Sequence, residues 1–231
     1  MEPATLITGG STGIGAATAR ALLKQGHRVA VTGRDADKLA AFAAAAAAGE
    51  RLLTITGDAA DPHDVASAVG RVADAWGRLD NIVANAGFSL PGNLESHSPD
   101  DMRAMILTNV LGPALLIRGA AAPAGVQGPD RRHGIRGGGT EHPGNLYSVT
   151  KWAAHALAEN TRLLVSKDRV GVTVVAPGVV DTPFWQERGG ISDEAPAMTA
   201  EQIADTIVVV LNQPTGVDIN HITLRPTGQL G

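Results

Sequence analysis

The sequence predicts an α/β fold: a doubly wound, mostly parallel sheet with helices on both faces, in one domain. Three observations carry this. Short apolar runs rich in Val, Ile, Leu and Thr alternate with helical stretches along nearly the whole chain. The runs are continuously apolar, as strands buried on both faces are, rather than alternating. A glycine cluster stands between the first run and the first helix. Parallel strands need crossover connections, and strand–helix alternation supplies them.

Taken in order, "ATLIT" (4–8) is the first strand, and a helix from Ile14 to about Gln25 stops at Gly26, a glycine where a helix C-terminus favours one. "RVAVT" (28–32) is the second strand. The stretch from Ala36 to Gly49 is almost pure alanine, the strongest helix former, and reads as helix rather than disorder. "LLTIT" (52–56), a helix over 62–76, "NIVAN" (81–85) and a helix over 100–118 continue the rhythm. A central strand is then due, but "GPDRRHGIRGGGT" (128–140) stands in its place. A buried parallel strand there would desolvate several charges, so 119–142 is expected to be irregular and the central strand lost. Order resumes with a helix over 145–167, "GVTVVA" (171–176), a helix over 200–212 and "HITLR" (221–225). No repeat, linker or second domain interrupts the 231 residues, enough for one well-buried core.

Composition excludes several classes. A net charge of -4 gives no basic footprint for nucleic acid. No apolar run approaches the roughly 18 residues that span a bilayer, and the N-terminus enters strand-like sequence at once, leaving no room for a signal peptide. The chain has no cysteine, which rules out disulfides and thiolate sites and fits a reducing cytoplasm.

"LITGGSTGIGAATARAL" (6–22) places Gly9, Gly13 and Gly15 between a strand and a helix. Glycines let the backbone turn tightly and approach a phosphate, and the helix N-terminus offers free N–H groups and a positive dipole end. About twenty residues on, the second strand ends in "VTGRD". An acid at this strand end binds a ribose 2′-hydroxyl, whereas an arginine accommodates a 2′-phosphate. Arg34 favours NADP, and Asp35 keeps NAD in play.

With these motifs the chain resembles the short-chain dehydrogenase/reductase family, of classical type, across nearly its whole length. "TGGSTGIG" (8–15) is similar to the family's nucleotide-binding turn, which assigns Ser11, Thr12 and Ile14 to the cofactor beside the glycines. "GDAAD" (57–61) resembles the adenine-contacting segment through Asp58 and Ala59, and "ANAG" (84–87) the family's N-N-A-G, with Ala84 for the first Asn and with Asn85, Ala86 and Gly87 kept. Asn109 matches the helix asparagine, "YSVTK" (147–151) the Tyr-x-x-x-Lys signature, and "PGVVDTP" (177–183) the nicotinamide-side loop through Pro177, Gly178, Val180 and Thr182. The resemblance implies a three-layer Rossmann-type domain, hydride exchange between NADP(H) and a small carbonyl or alcohol, no metal, and a homo-dimer or tetramer. It assigns Tyr147 as acid/base, Lys151 to the ribose and to tuning Tyr147, and Asn109 to orienting a water that feeds the proton relay. The pair has its own physical logic. Tyr147 and Lys151 lie one turn apart and share a helix face. A phenol is a poor acid, with a reference pKa of about 10, and a neighbouring ammonium stabilises its anion. Phe184 and Trp185 beyond the loop point to an apolar or alicyclic substrate.

The family's fourth member, a serine at the end of the central strand, is missing. Its place falls at "HGIRG" (133–137). Thr140 is too close to Tyr147 in sequence to take that place, and Ser148 points off the Tyr/Lys face. A reading-frame slip accounts for the lost strand and serine together: one permitted set of codons for 130–138, read a nucleotide later, encodes Thr-Val-Val-Thr-Gly-Ser-Val-Ala-Gly, a buried strand with serine at the place of Ile135. The other reading is a genuine glycine-rich insertion near the site, its basic residues contacting cofactor phosphates. The missing serine and strand also support a second function, a dinucleotide-binding protein with impaired or no catalysis.

Overall fold

The computed structural model describes residues 2–121, 132–136, 144–186, 190–191 and 196–229. The elements are β1 (Ala4–Thr8), α1 (Gly13–Lys24), β2 (Arg28–Gly33), α2 (Ala36–Ala46), β3 (Leu52–Thr56), α3 (Pro62–Trp76), β4 (Asn81–Ala84), α4 (Pro99–Ile106), a π-helical turn (Leu107–Leu111), α5 (Gly112–Ala121), β5 (Arg132–Arg136), α6 (Leu146–Val165), β6 (Gly171–Pro177), β7 (Val180–Asp181), α7 (Pro183–Gln186), β8 (Met198–Thr199), α8 (Ala200–Leu211) and β9 (His221–Leu224). Seven strands form one parallel sheet in the order β3-β2-β1-β4-β5-β6-β9. This is the doubly wound Rossmann-type arrangement, and strand order reverses between β1 and β4. A crevice opens beyond the carboxyl ends of strands at such a point.

Alternate strand residues fill two cores. Leu6, Ile82, Ile135, Val172 and Val174 pack with Val65, Val69, Leu116 and Ala154 on the face covered by α3, α5 and α6. Ile7, Val29, Val31, Val83 and Val175 pack with Leu22, Phe42, Ile203 and Ile207 on the face covered by α1, α2 and α8. Both faces are therefore dry, which is why the strand sequences are apolar throughout.

Two expectations need correction. The central strand is present: β5 lies between β4 and β6, with Gly134 opposite Val83 and Thr173, and Ile135 opposite Ala84 and Val174. Gly134 and Ile135 are buried. A parallel ladder pairs main-chain groups, so the slot between two strands can be filled by a segment whose side chains do not advertise it. The rest of the irregular stretch, including Thr140, lies outside the described residues. The preceding helix also runs on to Ala121. The second correction concerns apolar length. Pro99–Ala121 is 23 residues long, with an 18-residue window of mean hydropathy 1.5. Met105, Leu116, Ile117 and Ala120 are buried in the core, while Ile106, Leu107 and Leu111 stay exposed.

His27, at the start of the chain's turn into β2, is 4% exposed. Burial lowers its pKa, against smaller opposing pushes from a hydrogen bond with Asn212 and the charge of Asp80. The unfolded chain therefore binds a proton here more readily than the folded one. This contribution to stability is complete above about pH 6.5 and is lost as pH falls through the lower folded value. Melting temperatures measured from about pH 7 to about pH 5 should fall less steeply for His27→Gln than for the parent chain.

Candidate functional site

The crevice is built from the ends of β1 and β4. Thr8 closes β1, and its hydroxyl accepts from the Asn85 and Ala86 N–H groups at 3.2 and 3.1 Å. Asn85 returns the contact, its Nδ2 donating to the Thr8 and Gly9 carbonyls at 3.0 Å each. This brings two backbones together at the switch point, and the glycines let them meet. Gly9 has φ +65°, and a Cβ on it would stand 3.0 Å from the Ala86 Cα. A Cβ on Gly15 would collide with the Gly9 carbonyl and stand 2.6 Å from Asn85 Nδ2.

The helix that follows has an open N-terminus. Helices α2, α3, α4, α6 and α8 each begin with a side chain that accepts from their first turn: Asp35, Asp61, Ser98, Asn145 and Thr199. At α1, Thr12 makes no such bond, and no acid occupies the first turn. Its N–H groups and positive dipole end face a cavity of about 550 Å³. A phosphate is the group that such a terminus holds. Asn85 also lines the cavity, and its Oδ1 is buried without a hydrogen-bond partner.

Gly9, Ser11, Thr12, Gly13, Ile14, Arg34, Asp58, Ala59, Asn85, Ala86, Gly87 and Thr182 line this cavity together. At one end lie Arg34, Asp35 and Lys38. Asp35 is occupied: Oδ1 caps α2 by accepting from the Lys38 N–H at 3.0 Å, and Oδ2 lies 3.6 Å from Lys38 Nζ. The backbone bond, ahead of the lysine charge, holds its carboxyl below the usual range. Among the described residues no carboxylate pairs with Arg34. At the other end Phe184 lies against Tyr147, with ring centroids 5.8 Å apart.

Tyr147 and Lys151 share the inner face of α6, with Nζ 5.3 Å from the phenol centroid. Lys151 is buried at 4% exposure. A Cβ on Gly87 would lie 3.4 Å from its Nζ and 3.0 Å from Asn109 Oδ1, so Lys151 and Asn109 adjoin the cavity at Gly87. Asn109 sits in the π-helical turn and is 1% exposed. Its Nδ2 donates to the Phe88 carbonyl at 2.8 Å and to Thr150 Oγ1 at 3.1 Å, and its Oδ1 accepts from the Phe88 N–H at 3.0 Å. Both amide hydrogens are thus engaged with protein.

Not every residue of the expected set lies at the cavity. Gly15 packs beneath it. Pro177, Gly178 and Val180 are not among its lining residues: Pro177 ends β6 beside a small apolar cavity, Gly178 donates to the Leu224 carbonyl at 2.7 Å, and Val180 is buried in the α8-side core. They carry the chain to Thr182, which does line the cavity. Sequence reasoning missed Lys38, Gly57, Phe88 and Thr108. For Lys38 the signal was present, a cation in the first turn of a helix, where the dipole disfavours it. Ile135, at the expected place of the serine, is 1% exposed and packed in the core.

Comparisons with known proteins agree with this geometry. The short chain dehydrogenase family model matches residues 3–130. An uncharacterised oxidoreductase of Staphylococcus haemolyticus is 31% identical over 226 residues, covering 96% of each chain. The human dehydrogenase/reductase SDR family member 11 is 31% identical over 245 residues, covering 97% of this chain and 94% of its own. Among solved structures, an alcohol dehydrogenase from the archaeon Thermococcus sibiricus, complexed with 5-hydroxy-NADP, superposes with a TM-score of 0.88 at 26% identity, covering 100% of this chain and 99% of that one. A short chain dehydrogenase from Burkholderia cenocepacia in complex with NADP gives 0.86 at 30% identity, covering 96% of each chain.

Proposed function

We propose that this chain, which belongs to the short-chain dehydrogenase/reductase family and is an NAD(P)-dependent oxidoreductase, interconverts a carbonyl and a secondary alcohol of a small molecule with NADP(H), using Tyr147 as the acid/base. The observation that carries this reading is the open N-terminus of α1 facing a cavity that ends at Tyr147's neighbour Phe184. When bound, NADP(H) supplies or accepts the hydride.

The chain's own residues do the rest. The free N–H groups of α1 hold the pyrophosphate, and Arg34 and Lys38 meet the 2′-phosphate, since Asp35 is committed to capping α2. In the reducing direction Tyr147 gives its phenolic proton to the carbonyl oxygen, and in the oxidising direction it takes the alcohol proton. The Lys151 ammonium, 5.3 Å from the Tyr147 ring centroid, supports a role as the cation that offsets charge left on the phenol. Its place beside Gly87, which lines the cavity, supports a contact with the cofactor ribose. Asn109 braces the loop after β4 by clamping Phe88. Phe184 walls the substrate side and favours an apolar or alicyclic carbonyl. We further propose a homo-oligomer, because Leu107, Leu111, Val149 and Trp152 leave an apolar surface on the π-helical turn and α6, and a cytoplasmic setting, which the absence of cysteine from the sequence fits.

The cofactor choice is checked by fluorescence titration. A charge-assisted hydrogen bond contributes about 1.5–3 kcal/mol, so Arg34→Leu should weaken NADPH binding about 10- to 100-fold and leave NADH binding unchanged. Equal losses for both cofactors would show that Arg34 does not read the 2′-phosphate.

A further inference from the structure

Thr150 stands between the two halves of the site. It is 1% exposed. Its hydroxyl donates to the Tyr147 carbonyl at 2.7 Å and accepts from Asn109 Nδ2 at 3.1 Å. The same Asn109 amide holds both main-chain polar groups of Phe88, next to Gly87. A continuous path therefore runs from the main chain of Tyr147 through Thr150 Oγ1 and Asn109 to the loop after β4. Each hydrogen on it is committed: the hydroxyl has one to give, and the amide's two are both spent.

We propose that Thr150 is a positioning residue, whose hydroxyl sets the register of α6, with Tyr147 and Lys151, against the loop Ala86–Phe88 that lines the cofactor cavity. The structural alternative is a side chain that merely satisfies its own helix, as serines and threonines do by bonding back to a carbonyl one turn earlier. That alternative explains the bond to Tyr147 but gives no reason for Asn109 to spend a buried donor on Thr150. The path also gives the π-helical turn a purpose. Asn109 reaches Phe88 on one side and Thr150 on the other, bridging elements far apart in the chain. Removing the hydroxyl strands an amide hydrogen of Asn109 in a buried place, and the amide must turn or the loop must shift to satisfy it.

The inference rests on Tyr147 as acid/base, and its test separates the two. Thr150→Val keeps the shape and removes the hydroxyl, while Thr150→Ser keeps the hydroxyl. Thr150→Val should lower kcat about tenfold, a displacement effect on aligned groups. Thr150→Ser should restore the parent kcat. The side-chain amide resonances of Asn109 and the exchange protection of the Phe88 amide should change in Thr150→Val and return in Thr150→Ser. These spectra report the joint whether or not Tyr147 transfers a proton, so Tyr147→Phe at full activity would defeat the functional reading while the spectra still judged Thr150. Should Thr150→Val fail to fold, Thr150→Ala against Thr150→Ser reads the same contrast. Unchanged Asn109 and Phe88 signals, or equal kcat losses in the serine and valine variants, would overturn the proposal.

Discussion

Tyr147→Phe is expected to lower turnover about 10²–10⁴-fold, the range that a positioned general acid or base contributes, or about 3–5 kcal/mol of barrier. NADPH binding should stay as it is, because the cavity is lined by other residues and only the hydroxyl is removed. The aromatic ring persists, so its contact with Phe184 and its packing beside Lys151 persist too. The prediction is sharp because Tyr147 is the chain's single tyrosine. Single-turnover measurements with saturating NADPH separate the proton step from binding. A variant that binds and turns over like the parent would remove Tyr147 from the chemistry.

The second large effect concerns β5. The slot that the family gives to a strand ending in a serine is filled here by Arg-His-Gly-Ile-Arg, in register with β4 and β6. The hydroxyl that would donate to the substrate oxygen is replaced by Ile135, 1% exposed in the core. We propose that this segment is the frame-slipped form of a buried strand. A chain carrying Arg132→Val, His133→Thr, Ile135→Ser and Arg136→Val should then turn over about 10²–10³ times faster, the magnitude of one donor to a developing oxyanion. It should also melt at a higher temperature, since β-branched residues suit a strand buried on both faces. Equal rates would mean that the chain's chemistry does not call for the missing hydroxyl. Peptide mapping between Arg118 and Lys151 checks the frame independently.

Most of the architecture could be read where side chains alone decide it. β1, β3 and α3 stand at the residues their patterns mark, the last because Asp61 caps it and Pro62 opens it. The alanine-rich helix was harder to end: it stops at Ala46, with Ala47 in the left-handed region, and Gly49 begins a short 3-10 turn instead of closing the helix. β5 was illegible because its place is fixed by two main-chain ladders from distant segments, and its own side chains argue against it. The glycine turn, Arg34 and the Tyr147/Lys151 pair announced themselves by spacing. The brace from Phe88 through Asn109 to Thr150 did not, since its partners come from three separate parts of the chain and meet only in the fold. Asp35 shows the same limit. Its identity left the cofactor open, and only its bond to the Lys38 N–H shows how it is used.

The central claim is that hydride passes between a nicotinamide and a carbonyl carbon in this cavity. NADPH deuterated at C4 of the nicotinamide, incubated with the protein and a panel of alicyclic and aryl ketones, tests it most directly. Deuterium is expected on the carbinol carbon of at least one product, at a low rate in the parent chain and a higher one when the β5 serine is supplied. Tight NADPH binding with no label transferred by either chain would contradict it and leave a dinucleotide-binding protein without catalysis.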